Sequence, residues 1–186
     1  MKRLILLRHA KSGWDDPVAR DYDRPLNPRG RAAAAVIGQW ASTHIFGPNG
    51  LMVDSIIASP AVRCSETLDL FQPAAGLATI EPHWDRRIYL ASSATLIDVL
   101  CDLPDHITTA LMCGHNPGME DLILDLVPDD GTSPDRDIAE EQFPTAALAM
   151  IEMDIGHWAD VQNRCGRLAQ FKRPRDVDTA FGPEDD

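Results

Sequence analysis

Apolar and polar positions alternate along this chain in blocks that read as strands and helices in turn. Residues 3–8 form a short apolar run with a charged residue at each end, the pattern of a fully buried strand. A polar loop follows from His9 to about Leu26. Asn27-Pro28 is a capping residue with proline in the first turn, and it predicts a helix to about His44. Residues 54–59 carry Ile56, Ile57 and Ala58 at the centre of a second buried strand. Ser59-Pro60 repeats the cap-then-proline signal and predicts a helix to about Phe71.

Further along, residues 78–81 give a weak strand. Residues 94–103 give a helix with Leu96, Val99, Leu100 and Leu103 on one face. Residues 109–113 are a third clear strand, ending at Gly114-His115-Asn116-Pro117. Met119, Leu122, Ile123 and Leu126 are spaced for the buried face of a helix over 117–127. The acidic, turn-rich stretch 128–141 predicts an exposed loop, and 146–153 and 167–171 predict late strands. No internal repeat is present. One domain over 1–186 is expected, with its core at about 2–172 and a tail at 173–186 that ends in the loose Pro183-Glu184-Asp185-Asp186.

Strands alternating with helices predict an α/β three-layer sandwich, a largely parallel central sheet flanked by helices. In such sheets ligands bind beyond the carboxyl ends of the strands. Three of those ends carry unusual residues: Arg8-His9 after the first, Ser59 to Arg63 after the second, and Gly114-His115 after the strand at 109–113. If those strands are parallel neighbours, two histidines and two arginines meet at one edge.

Composition adds limits. The 186 residues are 44% hydrophobic and 25% charged, which is ordinary for a globular chain. The net charge of -12 argues against nonspecific binding to nucleic acid or an anionic membrane surface. The charge is unevenly spread: residues 1–31 hold eight Lys or Arg against four acids, so that segment is net +4 and the remainder -16. A basic segment on an acidic protein suits a small anion; chance clustering on a solvated surface is the other reading. Cys64, Cys101, Cys113 and Cys165 form no paired motif, as expected of reduced cytoplasmic thiols. The apolar run after Lys2-Arg3 stops after four residues, short of the roughly 7–15 of an export signal. No stretch approaches the ~20 apolar residues of a membrane span.

The candidate residues suggest a chemistry. A neutral imidazole is a nucleophile toward phosphorus, and the phosphoramidate it forms is labile to water. Arginine matches phosphate oxygens with planar, permanently charged donors. Two arginines and a second histidine could hold a phosphoryl group while His9 attacks in line, by positioning and charge neutralisation, with no metal and no cofactor expected.

Leu7-Arg8-His9-Ala10-Lys11 after an N-terminal strand resembles the Arg-His signature of the histidine phosphatase (phosphoglycerate mutase-like) superfamily. The words Asp23-Arg24-Pro25-Leu26-Asn27-Pro28-Arg29-Gly30, Ser59-Pro60-Ala61-Val62-Arg63-Cys64-Ser65-Glu66-Thr67 and Gly114-His115-Asn116-Pro117-Gly118 extend that resemblance to the SixA-type phosphohistidine phosphatase branch, over residues 2 to about 172. The resemblance implies His9 as the phosphorylated nucleophile, Arg8 and Arg63 as phosphoryl ligands, and His115 as a phosphoryl contact that stabilises transition-state charge. It also implies Ser12 and Asn116 as lesser phosphate contacts, and Arg24 as an element of the 9–26 loop or pocket wall. Asp85 and Asp21 are the options for a proton donor to the leaving group.

Fifty-one residues separate Arg63 from His115 and include a predicted helix, which leaves little chain for a cap over the pocket. The expected partner is a phosphorylated protein carrying phosphohistidine, or alternatively a small phosphorylated metabolite such as a sugar phosphate. A phosphate-dependent binding module with little turnover is the reading from another class.

Overall fold

The structure, a computed structural model, describes residues 1–13, 20–47, 50–131 and 133–182. Among these residues six strands form one sheet in the order β3-β2-β4-β1-β5-β6: β1 Lys2–Arg8, β2 Ser55–Ala58, β3 His83–Trp84, β4 Thr109–Gly114, β5 Leu148–Met153 and β6 Gly166–Lys172. The first four in that order run parallel, and β5 and β6 are antiparallel additions at the other side. The fold is the expected α/β sandwich, with a parallel half and an antiparallel half.

Period-two alternation in β1 explains the layers. Leu4 and Leu6 point into a core shared with α3 (Ser93–Cys101) and α4 (Gly118–Leu126), through Leu96, Leu100, Leu122 and Ile123. Ile5 and Leu7 point into the opposite core, shared with α1 (Pro28–His44) and α2 (Val62–Ala75), through Ile37, Leu68 and Phe71. All four β1 side chains are 0% exposed. Burial of each contributes about 1.5–3 kcal/mol relative to exposure. Gly38 lets α1 and α2 touch: a Cβ there would lie 2.6 Å from the Phe71 carbonyl oxygen.

Four expectations are corrected. The helix after Ser59 begins at Val62, with Ala61 as an N-cap that makes no side-chain bond, because the Ser59 hydroxyl is engaged elsewhere. It runs past Phe71 to Ala75, where Gly76 at φ 76° turns the chain. Residues 78–81 are not a strand: the Gln72 side-chain amide donates to the carbonyls of Leu77 (3.1 Å) and Ile80 (2.7 Å) and folds the segment into a turn. The edge strand comes later, at His83–Trp84.

Part of the acidic stretch 128–141 is a helix, α5 Pro134–Glu141. Ser133 caps it by accepting from Arg136 N–H, Pro134 opens it, and buried Arg136 reaches the Val127 carbonyl at 3.1 Å. This is the same cap-then-proline signal that marks α1. Residues 173–182, expected as a tail, fold back instead. α6 Pro174–Val177 packs on α1, and Arg29 reaches the Gly182 carbonyl at 3.0 Å. The expected loose end at 183–186, and the part of the loop at 14–19 and of the break at 48–49 that the sequence marks, lie outside the described residues.

The register fixes the functional edge. Arg8 pairs with Gly114 across β1 and β4, and Ala58 pairs with Cys113 across β2 and β4. Three parallel strands therefore end level with one another. β5 runs the other way, with Leu7 opposite Leu148, so the chain just before it, 143–147, reaches the same edge.

Candidate active site

His9 leaves β1 with its backbone N–H on the Gly114 carbonyl at 3.0 Å, which places it beside the end of β4. Its Nδ1 lies 2.8 Å from the Ala10 carbonyl oxygen. A carbonyl can only accept, so Nδ1 carries the hydrogen and Nε2 keeps the lone pair. Burial holds the His9 pKa well below its ordinary value, and the charges of His115, Arg63 and Arg8 add to that against the raising effect of the Ala10 bond. The ring is therefore neutral at pH 7, with Nε2 as an available nucleophile.

Arg8 is fixed from the other half of the sheet: its Nη1 donates to the Phe143 carbonyl at 2.7 Å. Ala146, at φ 59°, donates its N–H to the carbonyls of both Arg8 and His9 at 3.2 Å each, and locks the Arg8-His9 backbone to the 143–147 segment. Arg63 projects from the second position of α2 and is 3% exposed. Thr67 ties that helix to the loop that begins at His9. Its hydroxyl donates to the Arg63 carbonyl at 2.6 Å and accepts from Ala10 N–H at 2.9 Å.

His115 follows β4 and is buried under His9, the two ring centroids 5.0 Å apart. Its Nε2 meets the Ser59 hydroxyl at 2.8 Å, and its Nδ1 is a buried polar atom with no hydrogen-bond partner among the described residues. That orphaned nitrogen fits a contact to a phosphoryl oxygen. Tyr89 stands edge-on to the same ring at 5.4 Å and 90°, with the Arg63 guanidinium 5.8 Å from the centre of the Tyr89 ring.

A cavity of about 480 Å³ opens over Arg8, His9 and Arg63. Arg8, His9, Ser12, Asp21 and Arg63 line it, with Lys11, Arg24, Leu90 and Thr145 completing the wall. The edge thus brings together His9, both arginines and His115. Ser12 is 8% exposed and accepts a hydrogen bond from Arg24 through its hydroxyl. Arg24 is a wall residue braced by Asp21 at 2.9 Å and by the Gly13 carbonyl at 3.3 Å.

Three of the expected roles change. Asn116 does not offer its side chain to an anion: its Nδ2 donates to Glu120 Oε2 and to the Phe143 carbonyl, both at 3.0 Å. The remaining Oδ1 is an acceptor, which an anion does not bind. Asp85 belongs to a different cavity, with His83, Arg87 and Asp102, against β2, β3 and α3. Strand β3 is three strands from β1, roughly 14 Å at ~4.8 Å per strand. Hydrogen bonds from Arg87 hold the Asp85 carboxyl below the usual range.

Asp21 does line the pocket, but as an acceptor. Arg63 donates to its carbonyl at 2.7 Å and to its carboxylate at 3.0 Å, and Tyr89 donates to the same carboxylate at 2.8 Å. Burial raises its pKa, but the bonds from Tyr89 and Arg24 and the charge of Arg63 outweigh that and hold it low.

Tyr89, Thr67, Glu120, Phe143 and Thr145 carry no role that the sequence pattern alone assigns. Thr67 closes the motif that begins at Ser59, and Glu120 stands two residues beyond the one that ends at Gly118. Phe143 acts through its backbone carbonyl, which no side-chain pattern marks.

The profile of the histidine phosphatase superfamily (branch 1) matches residues 4–88. An uncharacterized protein of Mycobacterium tuberculosis is 35% identical over 175 residues, covering 91% of this chain and 100% of its own. A solved structure from Nakamurella multipartitia, assigned as the phosphohistidine phosphatase SixA, has a TM-score of 0.77 at 27% identity, over 93% of this chain and 96% of that one. One from Agrobacterium tumefaciens, with the same assignment, has a TM-score of 0.73 at 29% identity, over 93% and 98%.

Proposed function

This chain belongs to the histidine phosphatase superfamily, in its SixA-type branch, and is a phosphatase; we propose that it hydrolyses phosphohistidine on a protein through a covalent intermediate on His9. In this reading His9 Nε2 attacks the phosphorus in line. The N–P bond to the substrate imidazole breaks as the N–P bond to His9 forms. Water then attacks the phosphorylated His9, releasing inorganic phosphate and restoring the neutral ring. Arg8 and Arg63 hold the nonbridging oxygens, and His115 Nδ1–H donates to one of them. Ser12 is a further candidate contact at the wall.

The observation that carries this substrate class is the state of the acid. Among the described residues, Asp21 is the one carboxyl group lining the cavity, and its donors keep it ionised. An alkoxide leaving group needs a proton from the enzyme, whereas an imidazole protonated by solvent leaves without one. Among the described residues no helix is long and apolar enough to cross a membrane, and we place the enzyme in the cytoplasm with its four free thiols.

The test compares kcat/KM for a phosphohistidine peptide with a panel of sugar phosphates and phosphoserine, with EDTA present throughout. Preference for the peptide supports the reading. A preference for one of the esters overturns it in favour of a small-metabolite phosphatase, for which the 480 Å³ cavity has room. Absence of turnover on every phosphorylated compound favours the binding module.

A further inference from the structure

Ser59 lies one residue past the end of β2 and is fully buried. Its place in the sequence marks it as a helix cap, yet the cap of α2 is Ala61. The hydroxyl keeps only a long contact to that helix, accepting from Ala61 N–H at 3.4 Å. Its short contact, at 2.8 Å, is to His115 Nε2. The Cys64 thiol is also near that nitrogen, at 3.6 Å, but it donates toward the Gly114 carbonyl at 3.9 Å. The other ring nitrogen of His115, Nδ1, is buried and meets no hydrogen-bond partner among the described residues.

We propose that Ser59 is a positioning residue: it donates its hydroxyl hydrogen to His115 Nε2 and so holds His115 as the neutral Nδ1–H tautomer, a donor for a tetrahedral oxyanion. The proposal rests on the reading of His115 as a phosphoryl contact. A neutral imidazole has one N–H, and an oxyanion can only accept. The unpartnered Nδ1 must then carry the hydrogen, and the lone pair on Nε2 needs a donor. A serine hydroxyl can turn either way, but Ser59 is fully buried and its other contact, Ala61 N–H, is itself a donor, so among the described residues Nε2 is the acceptor its O–H reaches.

The residue type matters. A carboxylate in place of Ser59 would favour the imidazolium and add a further positive charge between His9 and the two arginines. A hydroxyl supplies the hydrogen bond and leaves the ring uncharged. The tautomer of a histidine is set by the bond its far nitrogen makes, and here that bond comes from Ser59.

The experiment records the ring nitrogens of His115 by ¹⁵N NMR in the wild type, assigned by difference against His115→Gln, together with tungstate affinity in wild type, Ser59→Ala and Ser59→Thr. The wild type is expected in the Nδ1–H form. Ser59→Ala should shift the ring toward the Nε2–H form and weaken tungstate binding about three- to tenfold, because the competent tautomer's share sets the apparent affinity. Ser59→Thr, which keeps the hydroxyl, should restore both. A wild-type ring in the Nε2–H form, or a Ser59→Ala protein with unchanged tautomer and affinity, overturns the proposal. The wild-type spectrum decides the matter should either variant fail to fold. None of these readouts depends on the substrate, so a failure of the phosphohistidine reading is seen separately, in the substrate panel.

Discussion

Asp21 takes two hydrogen bonds from Arg63, one on its carbonyl oxygen at 2.7 Å and one on its carboxylate at 3.0 Å. One acidic residue in the first loop therefore sets the attitude of a buried guanidinium on α2. With the Tyr89 hydroxyl and Arg24 on the same carboxylate, Asp21 is the post to which this side of the pocket is tied. A carboxylate so held accepts hydrogen bonds and does not release protons at neutral pH.

Replacing Asp21 with Asn separates the two roles. As a brace, Asp21→Asn should raise KM for p-nitrophenyl phosphate about three- to tenfold and leave kcat within a few-fold, since a bond to a charged group is worth about 1.5–3 kcal/mol and this carboxylate is 37% exposed. Steady-state kinetics decide between them: a collapse of kcat with KM unchanged would restore Asp21 as proton donor.

His9→Ala should remove turnover of both p-nitrophenyl phosphate and the phosphohistidine peptide, and Arg63→Ala should lower kcat/KM by about 10²–10³, the usual cost of one donor to transition-state charge. EDTA should change neither rate in the wild type. Residual activity of His9→Ala near the wild-type level would dismiss His9 as nucleophile.

Acidity acts through the same ring. His9 must be neutral to attack, and its pKa lies below the ordinary 6.5. The pH profile of kcat/KM should therefore be flat through pH 6.5 and fall only on further acidification. Stability has the same sign. Unfolded His9 binds a proton near 6.5 while the folded ring resists it, so its contribution is complete above that pH and is lost as pH falls toward the folded value. A profile that climbs steadily down to pH 4 would contradict the nucleophile's role.

Asn116 and Glu120 support Arg8 at one remove. Asn116 Nδ2 and Arg8 Nη1 share the Phe143 carbonyl, and Glu120 Oε2 accepts from both Asn116 Nδ2 and Phe143 N–H, the latter at 3.1 Å. Glu120→Ala should free that carbonyl to move, weaken tungstate binding several-fold and lower stability by about 1–3 kcal/mol. Isothermal titration and thermal melting measure the two effects; unchanged tungstate affinity would detach Glu120 from the site.

Gly118 brings the chain after His115 against the loop that carries Tyr89. A Cβ at this position would run into the Ala91 carbonyl oxygen, a backbone atom that cannot turn aside. Gly118→Ala should cost at least the 1–3 kcal/mol usual for overpacking, with Tm lower by roughly 2–4 °C for each kcal/mol. A melt indistinguishable from wild type would show that the 89–92 loop yields freely.

The neighbourhood of His9 was legible because it is written at strand ends. Arg8-His9, Arg63 and His115 each stand at or after the end of a short apolar run that reads as a buried strand, and parallel strands of one sheet end on one side. The acids were not legible. Asp85 and Asp21 are both acids in polar stretches near the signature residues, and only the tertiary structure puts the first in a separate cavity and the second on Arg63. Ser59 shows the same limit: its cap signal is genuine as a local preference, but the 2.8 Å contact to His115 depends on a residue 56 positions away.

The sequence by itself determined the main strands and helices, the faces they bury and the placement of Arg8-His9, Arg63 and His115 at or after strand ends, because hydrophobic period and capping chemistry act between near neighbours. The tertiary structure alone decided which nitrogen of His115 is engaged, which carboxylate braces Arg63, and that residues 143–147 return to hold Arg8. Those contacts form between segments brought together by strand order and register, and no local pattern encodes a distance between distant parts of the chain.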